Sequence, residues 1–84
     1  MKWTVSYQPY AADELAAVWL DAADRQAVTD AANLIERELG NDPLNAGESR
    51  GGNSRVLCEA PLAVFFDVSE QDRAVTVWGV VYHQ

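Results

Sequence analysis

Lys2 to Tyr7, KWTVSY, alternates Trp3, Val5 and Tyr7 with Lys2, Thr4 and Ser6, the period of a half-buried strand rich in β-forming residues. Pro9 ends it. In AADELAAVWLDA the apolar residues Ala11, Leu15, Val18, Trp19 and Ala22 then recur at helical spacing, with Asp13 and Glu14 in the favourable first turn. Asp21-Ala22-Ala23-Asp24 reads as an N-cap with a second carboxylate three residues on, opening a longer helix, DRQAVTDAANLIERELG. Its stripe is Val28, Ala31, Ala32, Ile35 and Leu39, its outer face Asp24, Arg25, Asp30, Arg37 and Glu38, and Gly40 stands where a glycine ends a helix.

Residues 41–53, NDPLNAGESRGGN, hold Asn, Asp, Pro and Gly at loop density without periodicity. Three strands follow at Ser54–Glu59, Leu62–Val68 and Ala74–His83, with connections of hairpin length. The middle strand puts Leu62, Val64, Phe66 and Val68 on one face and Ala63, Phe65 and Asp67 on the other. Strict alternation in the last groups Val75, Val77, Gly79, Val81 and His83 against Thr76, Trp78, Val80 and Tyr82. Both are apolar on two sides, so one face takes the helices and the other is left for a partner or a loop. The expected fold is α+β: one β-α-α-β-β-β domain over residues 1–84, an antiparallel four-stranded sheet with two helices packed on one face.

Charge narrows the function. Thirteen acids against six bases give a net charge of −7, which repels phosphate at long range. Between Glu48 and Glu59, however, residues 49–58 carry Arg50 and Arg55 and no acid, so a small basic spot can sit on an acidic body. A single cysteine, Cys58, and a single histidine provide neither a disulfide framework nor a multi-cysteine metal site, and no cofactor motif is present. No run approaches the ~20 apolar residues of a membrane span, and the N-terminus lacks a signal-like apolar stretch. The expected setting is cytoplasmic, away from membranes.

The order of elements and the segments SYQPYAADEL, LIERELGNDP, SRVL, PLAVFFDV and DRAVTVWGVVYH resemble the RelE/ParE superfamily of toxins from bacterial type II toxin–antitoxin modules. The likeness runs over essentially the whole chain and lies in spaced apolar residues rather than in one motif. It implies two helices on one face of a sheet and a concave opposite face. It implies a cognate antitoxin whose C-terminal segment wraps the toxin. It further implies one of two poisons, a RelE-like ribosome-dependent endonuclease that cuts messenger RNA or a ParE-like inhibitor of gyrase that is not a nuclease.

RNA cleavage by 2′-hydroxyl attack needs a base, cations for the charge on the phosphate and an acid for the leaving oxygen. By resemblance, Arg55 stands at the start of the second strand, where family members carry a catalytic cation, and His83 at the end of the fourth, where they carry His or Arg. Glu48 is a candidate base, and Arg50 with Gly51 and Gly52 a candidate phosphate grip beside Arg55. Three departures count against the enzyme. Ala63 lies where RelE-like enzymes hold a phosphate-binding arginine, Leu57 where some hold a second lysine, and the sequence ends at Gln84 without the helix that carries a catalytic tyrosine in some members.

Each candidate also has a structural reading. Arg55 can pair with Glu48 or Glu59, Arg50 with Glu48, and His83 can be an idle terminal residue. Cys58 reads as a small buried residue, and Trp3, Trp19 and Trp78 as core. The leading expectation is a toxin that acts as a ribosome-dependent mRNA endonuclease held by an antitoxin, with ribosome and mRNA as further partners. The alternative is a nonenzymatic poison or a toxin-fold binding module that has lost catalysis.

Overall fold

The computed structural model describes residues 2–82. Seven elements follow one another as β1 (Thr4–Tyr7), α1 (Pro9–Asp21), α2 (Arg25–Asn41), β2 (Glu48–Ser49), β3 (Ser54–Glu59), β4 (Leu62–Ser69) and β5 (Ala74–Tyr82). They form one sheet in the order β1-β5-β4-β3-β2. The α+β class with both helices on one side is as expected, and two details differ. Glu48 and Ser49 leave the expected loop to make a short fifth strand against Val56 and Arg55. β1 runs parallel to β5, with Thr4 opposite Ala74 and Tyr7 opposite Val77. Short connections dictate the antiparallel β3-β4-β5 meander, but β1 returns to the sheet through two helices, and a crossover of that length permits a parallel neighbour.

The helix pair is held by its ends. α1 opens on Pro9, whose missing N–H costs nothing in a first turn. The N-cap of α2 is Asp24, three residues beyond the expected Asp21, and its carboxylate accepts from Ala27 N–H at 3.1 Å. Arg25 reaches back to the last carbonyls of α1, donating from Nε to Trp19 O at 3.1 Å and from Nη2 to Leu20 O at 3.0 Å. Its guanidinium lies 4.9 Å above the Trp19 ring, whose Nε1 donates to Thr29 Oγ1. Arg25 is therefore a clasp rather than an idle surface charge, and Trp19, 40% exposed, is part of that clasp rather than of the core. α2 continues through Gly40 to Asn41, because Trp3 N–H bonds Gly40 O at 2.9 Å and satisfies a carbonyl that would otherwise end the helix bare.

One contiguous core fills the space between helices and sheet. Val28, Ala31, Ile35 and Leu39 of α2 and Ala11 of α1 meet Leu57, Leu62, Val64, Phe66, Val68, Val75, Val77 and Val80. Leu15 and Val18 are half-buried at its margin. The alternation of β5 does not run through to its end. Phe65 pairs with Gly79 and Phe66 with Val77, leaving Trp78 as an extra residue, a β-bulge. The bulge shifts the phase, so Val80 is buried and Val81 is 42% exposed, the reverse of strict alternation. Beyond β1, the N–H of Val80 is taken by Glu14 Oε1 of α1 at 3.1 Å.

Candidate functional site

Among the described residues, no helix covers the face of the sheet away from α1 and α2. Register assigns to it Ser54, Val56 and Cys58 of β3, then Ala63, Phe65 and Asp67 of β4. Thr76 and Val81 of β5 and Glu48 of β2 share that side. Val56 and Ala63 are buried there yet lie outside the main core, so this face has its own small apolar floor. On that floor Phe65 and Trp78 stack obliquely, ring centroids 5.3 Å apart and planes tilted by 36°. Trp78 is 39% exposed, contrary to its reading as core, and Cys58 is exposed rather than buried. In both cases the strand is apolar on two sides and only one side is covered.

Asp67 is held in the centre. Its Oδ1 accepts from Ser54 Oγ at 2.7 Å and from Trp78 Nε1 at 3.1 Å. Sequence reasoning passed over this carboxylate. The only signal for it was an acid on a strand face shared with Phe65.

The expected catalytic residues are distributed differently. Arg55 pairs with Phe66 and Ser49 and so starts from the helix side of the sheet. Its Nε donates to Ala46 O at 3.0 Å and its Nη2 to Gly47 O at 3.3 Å, which ties down the segment leading into β2. Gly47 itself sits at φ 65°, and a Cβ there would collide with the carbonyl oxygen of Val56. Glu48 lies opposite Val56 on the uncovered face, so Glu48 and Arg55 leave the sheet on opposite sides. Arg50 follows β2 in the turn, where its N–H bonds Ser54 O at 2.8 Å. Its side chain is exposed and has no partner among the described residues, Glu48 included. His83 lies outside the described residues. Ala63, at the place of the absent arginine, does face the uncovered side.

Other charged groups are fixed at the rim of the core. Arg73, at φ 48° in the β4–β5 turn, places its guanidinium 4.5 Å over the Trp3 ring. Tyr7 OH donates to Glu36 Oε2 at 3.1 Å, and burial together with the Glu36 charge pushes its pKa well above the usual phenol range. Partial burial, then the charge of Glu59 and a hydrogen bond between the two carboxyls, raise the pKa of Glu38 above the usual carboxylate range. Among the described residues no group of three or more His, Cys, Asp or Glu is placed to hold a metal ion. Among the described residues no helix is long and apolar enough to cross a membrane.

What this geometry offers is a surface for binding. Among the described residues its strands present no lysine or arginine, so a phosphate lying on them would meet Asp67 and Glu48 with no cation from the strands themselves.

No protein-family model and no curated protein sequence matches the chain. Solved structures do. The RelBE2 toxin–antitoxin complex from Mycobacterium tuberculosis contains a chain that aligns with a TM-score of 0.81 at 12% identity, over 99% of this chain and 93% of that one. The chromosomal ParDE toxin–antitoxin system of P. aeruginosa gives 0.75 at 16% identity over 99% and 98%. The isolated E. coli RelE toxin gives 0.71 at 13% identity over 98% and 85%. The chain thus has the fold of the RelE and ParE toxins along its full described length.

Proposed function

We propose that this protein is the toxin-fold member of a toxin–antitoxin pair and that it acts by binding a protein target, not by cutting RNA. The pairing rests on the fold shared with chains from RelBE and ParDE complexes. The mode of action rests on one observation, the placement of Arg55. The arginine best positioned by sequence to stabilise a scissile phosphate spends its donors on Ala46 and Gly47 carbonyls on the helix side. The uncovered face meanwhile carries apolar and acidic groups, a poor environment for an extra negative charge in a transition state.

The rival is a RelE-like ribosome-dependent nuclease using Arg50 and Glu48, with Arg55 and His83. Its specific support is Arg50, an exposed guanidinium beside a glycine pair and without a partner among the described residues.

Induction in a bacterial host, with and without co-expression of a candidate antitoxin from any adjoining reading frame, separates the two. Binding predicts growth arrest relieved by that antitoxin, with no new 5′ ends in messenger RNA and no change for Arg50→Ala. New message ends that vanish in Arg50→Ala would establish the nuclease instead. Because the chain is acidic, the antitoxin segment that covers it is expected to be apolar with Lys and Arg, and its affinity to fall as salt is added.

A further inference from the structure

Two donors on one oxygen fix a carboxylate in place. Ser54 Oγ and Trp78 Nε1 both bond Asp67 Oδ1, while Oδ2 takes no hydrogen bond among the described residues. The indole that holds Asp67 is itself backed by Phe65, and Phe65 can lie flat across β5 because residue 79 is glycine. A Cβ at Gly79 would approach Phe65 Cδ1 to 3.3 Å. The bulge at Trp78 directs the indole to the same side as Phe65 and Asp67. The result is an ordered acceptor at the edge of an exposed aromatic plane, on a chain of net charge −7 and on a face whose described strands carry no cation.

A cation from outside is the missing half. An ammonium would satisfy the carboxylate. A guanidinium does more, because its plane can stack on the indole while an N–H at its rim donates to Oδ2. Nucleic acid is disfavoured by the same carboxylate. We propose that Asp67, Trp78 and Phe65 form a receptor for an arginine side chain presented by an apolar segment of a partner protein. The floor of Val56 and Ala63, buried beneath the aromatic pair's side of the sheet, and the exposed Val81 give that segment its apolar surroundings. The proposal rests on the reading of this face as a protein-binding surface.

The test is a titration of ¹⁵N-labelled protein with the capped peptide acetyl-Ala-Leu-Arg-Leu-Ala-amide and its versions with lysine, citrulline or glutamate at the centre. The indole resonance of Trp78, identified with Trp78→Phe, is followed. The expected result is binding of the arginine peptide at least about tenfold tighter than the neutral citrulline one, with lysine between. Asp67→Asn keeps an Oδ1 acceptor for Ser54 and Trp78 and should remove that preference. Equal responses to arginine and citrulline, or an arginine preference that survives Asp67→Asn, would overturn the receptor. If Asp67→Asn disturbs the free protein, the peptide series on the natural chain decides alone. A single-stranded RNA decamer is added in a parallel sample. A Trp78 shift with RNA overturns the reading of this face as a protein site and the receptor with it, whereas silent RNA and undiscriminating peptides overturn the receptor only.

Discussion

β4 shows two environments in eight residues. On its helix side Leu62, Val64, Phe66 and Val68 are no more than 5% exposed, packed into one core with Ile35, Leu39 and Val28. On its other side Ala63 is covered, Phe65 half-covered, and Asp67 exposed. Polar groups differ in the same way. Those next to the core serve the fold, as Arg55 does for Ala46 and Gly47, Glu14 for Val80 and Tyr7 for Glu36. Those on the uncovered face hold one another in position and leave an acceptor over. Burial drives folding through the first face, at roughly 25 cal/mol per Å² of apolar surface. The second is therefore free to be composed for contact with another molecule, and it is where a change alters binding before it alters stability.

The comparison breaks most plainly at Ile35, which is fully buried. Ile35→Asp should cost about 4 kcal/mol or more, since an unpaired charge in the core is among the most expensive single changes, and a denaturant melt near that of the natural protein would show the helix side to be misassigned. Arg55→Ala comes next. Loss of two donors to backbone carbonyls should cost about 1–3 kcal/mol, and the same variant should leave any toxicity intact in an induction assay at permissive temperature. Loss of toxicity from a variant that still melts like the natural chain would return Arg55 to the chemistry.

Trp78→Ala is smaller in stability, about 1 kcal/mol or less for a half-exposed ring, yet should abolish the arginine preference of the uncovered face. A large fall in melting temperature would mean that the face belongs to the fold after all. Smallest is Glu38→Gln. The folded-state pKa of Glu38 is raised, so its contribution to stability is fully present below the ordinary carboxylate pKa and is lost as pH rises through the folded value. The glutamine variant should therefore gain on the natural protein in melting temperature between pH 4 and pH 7, and a gain in the opposite direction would exclude a strained Glu38–Glu59 pair.

Much of the helix side could be read from the sequence, because each apolar stripe there has a single period. Val28, Ala31, Ile35 and Leu39, and Val64 and Phe66 opposite them, fall where 3.6 and 2 residues per repeat place them. The second half of β5 could not. Its run of Trp78, Gly79, Val80, Val81 and Tyr82 is apolar on either phase, so hydropathy alone could not reveal one extra residue in the ladder. The side taken by Arg55 was hidden for a related reason. β3 offers Val56 and Leu57 to opposite faces and both are buried, which leaves no polar side to orient the arginine. Asp67 became meaningful only with its neighbours in place, since Ser54 is thirteen and Trp78 eleven residues away along the chain.

The bulge makes Trp78 a supernumerary residue. Were it deleted, Val77 would still face the helices, Gly79 would still sit opposite Phe65, and Val80 would still point inward, because the ladder already skips it. A strand one residue shorter should close the same core with less twist. Trp78 is thus a side chain that the sheet carries without needing, and a deletion of this kind would separate the architecture of the domain from its capacity to meet a partner in a single step.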